Sequence, residues 1–137
     1  MTTRRMLILA LVSAGLAFGA SAPALSAPKH SGTMQKLDPS GDGVIDLAEA
    51  RAVAATVFDR IDHNKDGLVN TRELGGRVTP QEFAVADRNH DGKLSKEEYL
   101  SVVEKRFKAA DPNNTGKVSE RALFSRTGRP LARLLLP

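Results

Sequence analysis

Two segments of the chain carry an uninterrupted helical stripe of apolar side chains. Between Leu47 and Ile61 the apolar positions recur every three or four residues, and no Gly or Pro occurs. The segment from Lys96 to Ala110 has the same character. Each segment is therefore predicted to form one continuous helix. If straight, such a helix holds the segments that flank it about 20 Å apart, at 1.5 Å per residue.

The helical pattern breaks between these two segments. Gly75 and Gly76 interrupt the chain, and Thr79-Pro80-Gln81-Glu82 follows. Thr79 suits the N-cap of a helix, Pro80 suits its first position, and Glu82 at the third position can close a capping box. A new helix is therefore predicted to begin after Thr79.

A polar repeat of about 24 residues accompanies the helical pattern. Four segments, called loop 1 (38–49), loop 2 (62–73), loop 3 (87–98) and loop 4 (111–122), start 24, 25 and 24 residues apart. Each has Asp at position 1, Gly at position 6 and an apolar residue at position 8, and the first three have Glu at position 12. Ordinary polar turns use the same residue types, but three full matches in register make that alternative a poor explanation.

A twelve-residue loop of this kind can surround a hard divalent cation. Such an ion takes six to eight oxygen ligands at about 2.3–2.6 Å. Positions 1, 3, 5 and 9 offer side-chain oxygens, and position 7 offers a backbone carbonyl. Position 12 offers both oxygens of a Glu, which suits Ca²⁺ better than octahedral Mg²⁺. Glycine at position 6 permits the positive φ of the sharp turn.

The candidate ligands follow from these positions, with the position-7 residue contributing its carbonyl. In loop 1 they are Asp38, Ser40, Asp42, Val44, Asp46 and Glu49. In loop 2 they are Asp62, Asn64, Asp66, Leu68, Asn70 and Glu73. In loop 3 they are Asp87, Asn89, Asp91, Lys93, Ser95 and Glu98.

These three loops match the calcium-binding pattern D-x-[DNS]-x-[DN]-G-x₅-E at every position. Over residues 34–124 the chain therefore resembles the EF-hand superfamily, which includes calmodulin, and most closely the small exported EF-hand proteins of bacteria. The resemblance implies an all-α fold of helix–loop–helix units with minimal β bridges between loops. It also implies that the bound ions are Ca²⁺.

Loop 4 departs from the pattern at two ligand positions. Asp111 and Gly116 are retained, but position 5 is Thr115 and position 12 is Ala122. With the bidentate Glu absent and one carboxylate left, loop 4 is expected to be degenerate, and whether it binds metal stays open. Val118 at position 8 still allows it to pair with another loop.

The pairing of the loops follows from the two continuous helices. Position-8 residues of two EF-hand loops form a short antiparallel bridge, and here they are Ile45, Val69, Leu94 and Val118. Because the Gly-Gly break occurs only between loops 2 and 3, these two loops are predicted to form the face-to-face pair. Loops 1 and 4 are then expected at the far ends of the two continuous helices.

The N-terminus has the order of a secretory signal peptide. Arg4 and Arg5 precede a predominantly apolar run of 13 residues from Met6 to Phe18, and small residues follow to Ala27. The run is too short to span a membrane. We expect a signal peptide at 1–26, an EF-hand domain at 27–124 and a basic, hydrophobic tail at 125–137. Export by the general secretory route, with the twin-arginine route as the alternative, predicts a periplasmic or secreted protein.

Composition excludes several function classes. The 137 residues include no Cys, no Trp and one Tyr. Disulfides, thiolate metal sites and Cys nucleophiles are therefore excluded. The few aromatics argue against base-stacking nucleic-acid modules, so no nucleic-acid partner is expected. No phosphate-binding Gly-rich loop or His-pair zinc motif occurs, so we expect neither catalysis nor an organic cofactor.

Charge and the tail leave two functions open. The formal charge is +4, and 18 basic against 16 acidic residues remain once Arg4 and Arg5 leave with the signal peptide. The tail alternates arginines with leucines, which either cover an apolar groove of the domain or contact a protein partner or anionic membrane surface.

The protein is accordingly expected to be a calcium buffer or a calcium-stabilised module. The alternative is a calcium-dependent sensor or adaptor. Met34 is the one methionine outside the leader, whereas calmodulin-type sensors use many methionines, so the composition favours the first.

Overall fold

The computed structural model describes residues 31–137, so the predicted signal peptide lies outside the described residues. Residues 31–137 form seven helices and four short strands, a predominantly helical fold with two small antiparallel sheets. The helices are α1 (Met34–Leu37), α2 (Leu47–Ile61), α3 (Thr71–Leu74), α4 (Pro80–Ala86), α5 (Lys96–Ala110), α6 (Glu120–Leu123) and α7 (Arg129–Leu135). The strands are β1 (Val44–Asp46), β2 (Leu68–Asn70), β3 (Lys93–Ser95) and β4 (Lys117–Ser119).

The two long helices have the predicted bounds. Each begins with a capping box, formed by Asp46 and Glu49 in α2 and by Ser95 and Glu98 in α5. The cap residue accepts a hydrogen bond from the backbone N–H of the Glu, and the Glu carboxylate accepts one from the backbone N–H of the cap residue. The prediction that one helix serves loops 1 and 2, and another loops 3 and 4, is confirmed.

The linker between the long helices also follows the prediction. Helix α3 ends at Leu74, and its C-cap Gly75 adopts the left-handed conformation with φ of +55°. Helix α4 begins at Pro80 with Thr79 as its N-cap, and Thr79 and Glu82 form the expected capping box.

Each sheet joins two loops. In one sheet β2 pairs with β3, with Val69 opposite Leu94, and in the other β1 pairs with β4, with Ile45 opposite Val118. The pairing of loops 2 and 3 is confirmed. Loops 1 and 4 lie at the other end of the long helices, where they pair with each other. Loop 4 therefore completes a pair despite its degenerate sequence.

The core lies between α2, α5 and α7. Helix α7 packs against both long helices and fully buries Leu131, Leu134 and Leu135. Of the two alternatives for the tail leucines, the structure shows the one in which they cover an apolar groove of the domain. Within residues 31–137, no helix has both the length and the apolar character needed to cross a membrane.

Candidate metal centre

The first aspartate of each loop holds the loop backbone in its turn. These aspartates are buried, and in each loop one carboxylate oxygen accepts a hydrogen bond from the N–H of the glycine at position 6. The N–O distances are 2.7 Å for Gly43 and Asp38, 3.0 Å for Gly67 and Asp62, 2.9 Å for Gly92 and Asp87, and 2.7 Å for Gly116 and Asp111. All four glycines have φ between +75° and +84°, a conformation that carries little strain only in glycine. The Asp at position 1 and the Gly at position 6 thus recur in all four loops for a direct conformational reason.

The glutamate at position 12 reaches back across its loop. Glu49 Oε1 accepts a hydrogen bond from the N–H of Ser40 at 3.2 Å, and Glu98 Oε1 accepts one from the N–H of Arg88 at 3.0 Å. The second oxygen of each caps the exit helix. Glu73 caps α3 in the same way through the N–H of Asn70, at 3.0 Å. Each predicted bidentate carboxylate therefore lies at the junction between its loop and its exit helix.

The ligand at position 9 is also the N-cap of the exit helix. Asp46, Asn70 and Ser95 each accept a hydrogen bond from the N–H of the position-12 glutamate. The pattern predicts these residues as oxygen ligands, and the structure shows that they are also the N-caps of the exit helices. This explains why Asp, Asn and Ser, the good N-caps, occupy position 9.

The chemistry of the oxygen donors in the loops suits a calcium ion. Asp62 Oδ2 accepts the glycine N–H, whereas Asp62 Oδ1 is buried and has no hydrogen-bond partner. A buried carboxylate oxygen without a partner is costly unless a cation or donor approaches it. Asn64 and Asp66 supply further oxygens in the same loop, and an all-oxygen donor set suits a hard cation.

The acidic groups of the described residues do not converge into a compact cluster. Among residues 31–137, no group of three or more His, Cys, Asp or Glu side chains is close enough to hold a metal ion by itself. The loop carboxylates instead accept hydrogen bonds from backbone N–H groups of their own loops. The 18 ligand assignments therefore remain predictions from the pattern.

A lysine of one loop faces an aspartate of the other in both loop pairs. Lys93 Nζ lies 2.8 Å from Asp66 Oδ2, and Lys117 Nζ lies 3.2 Å from Asp42 Oδ2. Both lysines occupy position 7, and both aspartates occupy position 5. The Lys93 hydrogen bond lowers the pKa of Asp66, with help from the N–H of Leu68. The sequence pattern assigns a role only to the carbonyl of Lys93, so it does not predict these contacts. They follow from the strand register, which brings Lys93 opposite Asn70.

Loop 4 is closed by a hydroxyl group. Thr115 Oγ1 lies 2.9 Å from Asp111 Oδ1 and 3.0 Å from the carbonyl oxygen of Lys117. In loops 1–3 the equivalent oxygens, at positions 1 and 7, are predicted metal ligands. A hydroxyl carries one proton and donates it to one of them at a time. The N–H of Thr115 lowers the pKa of Asp111 further. The loop thus has an internal polar partner for Asp111, its only carboxylate at a predicted ligand position.

Sequence reasoning missed the polar contacts that hold α7. Arg106 is 6% exposed, and its guanidinium donates hydrogen bonds to both Glu82 oxygens, at 2.9 and 2.6 Å. The same group donates to the carbonyl oxygens of Arg77 and Pro130, at 2.8 and 2.6 Å. Arg106 therefore joins α4, the Gly-Gly linker, α5 and the start of α7.

The comparison with protein families agrees with this geometry. The family model described as "EF hand" matches residues 53–84 and 81–103, segments that contain loops 2 and 3. The chain belongs to the EF-hand superfamily. Membership implies calcium binding, in a family that is typically non-enzymatic.

Proposed function

We propose that the protein is an exported calcium-binding protein in which loops 1–3 each hold one Ca²⁺ and loop 4 holds none. In this proposal it acts as a calcium buffer or calcium-stabilised module, without enzymatic activity. The family match supports calcium binding, and the order of charged, apolar and small residues at the N-terminus supports export to the periplasm or the outside of the cell.

The observation that carries the choice of buffer over sensor is the position of α7. A sensor exposes an apolar groove to its target, whereas here α7 fills the groove between α2 and α5 with its own leucines. The buried Tyr99 hydroxyl donates a hydrogen bond to the carbonyl oxygen of Leu134 at 3.0 Å, which fixes the helix in place. Among the described residues, the exposed large apolar side chains are Val85 and Phe124.

The side chains of each loop would act by converging on one point. When bound, Ca²⁺ supplies positive charge that offsets the mutual repulsion of the loop carboxylates. In loop 2, Asp62 Oδ1 is buried and accepts no hydrogen bond, so no protein donor would compete with the ion for this oxygen. Glu73 lies in the first turn of α3, so its carboxylate would connect the ion to the exit helix. The ions would thereby stabilise the helix–loop–helix units.

Loop 4 has a structural role and binds no calcium ion in this proposal. Its Thr115 hydroxyl partners Asp111, so the loop needs no cation to satisfy that carboxylate. It supplies β4 as the partner of β1, which keeps loop 1 paired with the loop that follows α5.

The two functions differ in whether calcium exposes apolar surface. The test is a calorimetric calcium titration of the processed chain, residues 27–137, followed by the fluorescence of a hydrophobic dye. A buffer or stabilised module binds three ions with no rise in dye fluorescence. A rise in dye fluorescence that tracks calcium saturation would instead establish the sensor. Failure to bind calcium would reject both.

A further inference from the structure

A cavity rich in arginine lies between the Gly-Gly linker and α7. It has a volume of about 320 Å³ and is lined by Arg77, Arg106, Arg126, Arg129 and Arg133 together with Glu82. We call it the arginine pocket. None of these arginines belongs to a calcium-binding loop, so calcium binding does not account for it.

The positive charge of the pocket is largely uncompensated. Its one lining carboxylate, Glu82, already accepts hydrogen bonds from Nε and Nη2 of Arg106, one on each oxygen. Within residues 31–137, no carboxylate oxygen lies within 4.0 Å of the side-chain nitrogens of Arg77, Arg126, Arg129 or Arg133. Four guanidinium groups thus border one concavity without an acidic partner.

The pocket is built on a rigid support. Arg129 and Arg133 are four residues apart, so they project from the same face of α7. The backbone of α7 is held by three side chains, each at a carbonyl oxygen: Arg106 at Pro130 (2.6 Å), Arg77 at Arg133 (2.7 Å) and Tyr99 at Leu134 (3.0 Å). Arg77 also donates to the carbonyl oxygen of Leu136. The long arginine side chains therefore start from fixed positions, which lowers the entropy lost when a ligand binds.

We propose that the arginine pocket binds a phosphate group. A guanidinium presents paired N–H donors that match two phosphate oxygens, and a phosphate monoester carries a charge of about −1.5 to −2 at neutral pH. One such group can accept hydrogen bonds from several guanidiniums at once, which a carboxylate with two oxygens does less well. The phosphate monoester can be that of a soluble molecule or the headgroup of phosphatidic acid, a lipid whose phosphate is a monoester.

The test is a calorimetric titration of the calcium-loaded chain with glycerol 3-phosphate, with glycerol as the uncharged control ligand. The wild-type chain is expected to bind glycerol 3-phosphate saturably and to show no binding of glycerol. Arg129→Gln and Arg133→Gln should each weaken binding about tenfold, the effect of losing one charged hydrogen-bonding group. Both side chains are exposed, so the variants are expected to fold, and a thermal melt checks this.

The matched control is Arg121→Gln, which removes one exposed arginine outside the pocket. If the wild type does not bind glycerol 3-phosphate, or if Arg121→Gln weakens binding as much as the pocket variants, a soluble phosphate site is refuted. The calcium stoichiometry of all three variants should equal that of the wild type. The experiment therefore tests phosphate binding by the arginine pocket separately from the proposed calcium binding by the loops.

Co-sedimentation with vesicles distinguishes the sources of the phosphate. Vesicles containing phosphatidic acid are compared with vesicles of phosphatidylcholine alone, whose phosphate is a diester. Sedimentation that requires phosphatidic acid, and that Arg129→Gln and Arg133→Gln weaken but Arg121→Gln does not, assigns the pocket to a lipid headgroup. Binding of glycerol 3-phosphate without sedimentation assigns it to a soluble phosphate. Absence of both overturns the proposal.

Discussion

Lys93 Nζ lies 2.8 Å from Asp66 Oδ2, so a position-7 side chain of loop 3 forms an ion pair with a predicted ligand of loop 2. Lys117 and Asp42 repeat this contact between loops 4 and 1 at 3.2 Å. In each pair the ammonium group provides the positive charge that a calcium ion would otherwise bring to the aspartate. At the proposed calcium sites of loops 1 and 2, the ion would therefore compete with a lysine of the partner loop.

Removing the Lys93 charge is expected to tighten calcium binding at loop 2. Lys93→Gln keeps the position-7 carbonyl, which belongs to the backbone, and removes the competing ammonium group. The pair is exposed, so we expect an increase in loop 2 affinity of about two- to fivefold. NMR titration that follows the amide of Gly67 measures this site alone. The control, Lys108→Gln, removes an exposed charge outside the loops. Unchanged or weaker affinity in Lys93→Gln would show that the lysine does not compete.

The Glu82–Arg106 pair predicts a pH dependence of stability. The hydrogen bonds from Arg106 lower the pKa of Glu82 from 4.5 to about 2. Because the folded-state pKa is lowered, the pair stabilises the fold fully above pH 4.5 and loses this effect as the pH falls towards 2. Glu82→Gln should therefore lower the free energy of unfolding at pH 7 by about 1–2 kcal/mol, a value that allows for solvent screening.

Urea denaturation across this pH range measures the effect. The difference between wild type and Glu82→Gln should shrink as the pH falls from 4.5 to 2. Glu97→Gln, which removes an exposed carboxylate of α5, should change stability little at any pH. A difference that stays constant with pH would contradict the assigned pKa.

The tail leucines are expected to contribute to stability as core residues. Leu134 is fully buried, so Leu134→Ala should lower the free energy of unfolding by about 2–5 kcal/mol through lost burial and the cavity it leaves. It should also raise hydrophobic-dye fluorescence, because the groove is less well covered. Val85→Ala, at a position 70% exposed, serves as the control and should change stability by less than about 0.5 kcal/mol. Equal stability of the two variants would show that α7 does not contribute to the core.

The degenerate loop can be converted into a calcium site if the account of it is right. Thr115→Asp with Ala122→Glu restores the carboxylates at positions 5 and 12 and removes the hydroxyl that partners Asp111. The double variant should bind one more calcium ion per chain than the wild type, as counted by calorimetry. Thr115→Asp alone lacks the bidentate ligand and should bind no additional ion. A wild-type chain that already binds four ions would contradict the degenerate assignment.

The helices and the loop pairing were predictable because their causes are local. The stripe from Leu47 to Ile61 has no helix breaker, and Thr79 with Glu82 is a complete start signal, so the bounds of α2 and the start of α4 follow from short stretches of sequence. The pairing of loops 2 and 3 follows from the Gly-Gly break, since the other two connections between loops are continuous helices that keep their loops apart.

The contacts that were missed join residues far apart in sequence. Arg106 lies on α5 among other charged residues and resembles a solvent-facing side chain. Its burial arises only when α7 folds back over the groove and brings the Pro130 carbonyl to it. The Lys93–Asp66 pair likewise depends on the register between two strands. Local sequence patterns do not show which distant segments come into contact, so these two contacts are seen only in the folded structure.

Calcium stoichiometry measured by isothermal titration calorimetry tests the central claim most directly. The wild-type processed chain should bind three ions, and Glu49→Gln, Glu73→Gln and Glu98→Gln should each lose strong binding at one site, because each removes a bidentate carboxylate. Glu97→Gln, next to a predicted ligand but outside the ligand set, should retain all three. If the three position-12 variants all keep the wild-type stoichiometry, the assignment of the calcium sites is wrong.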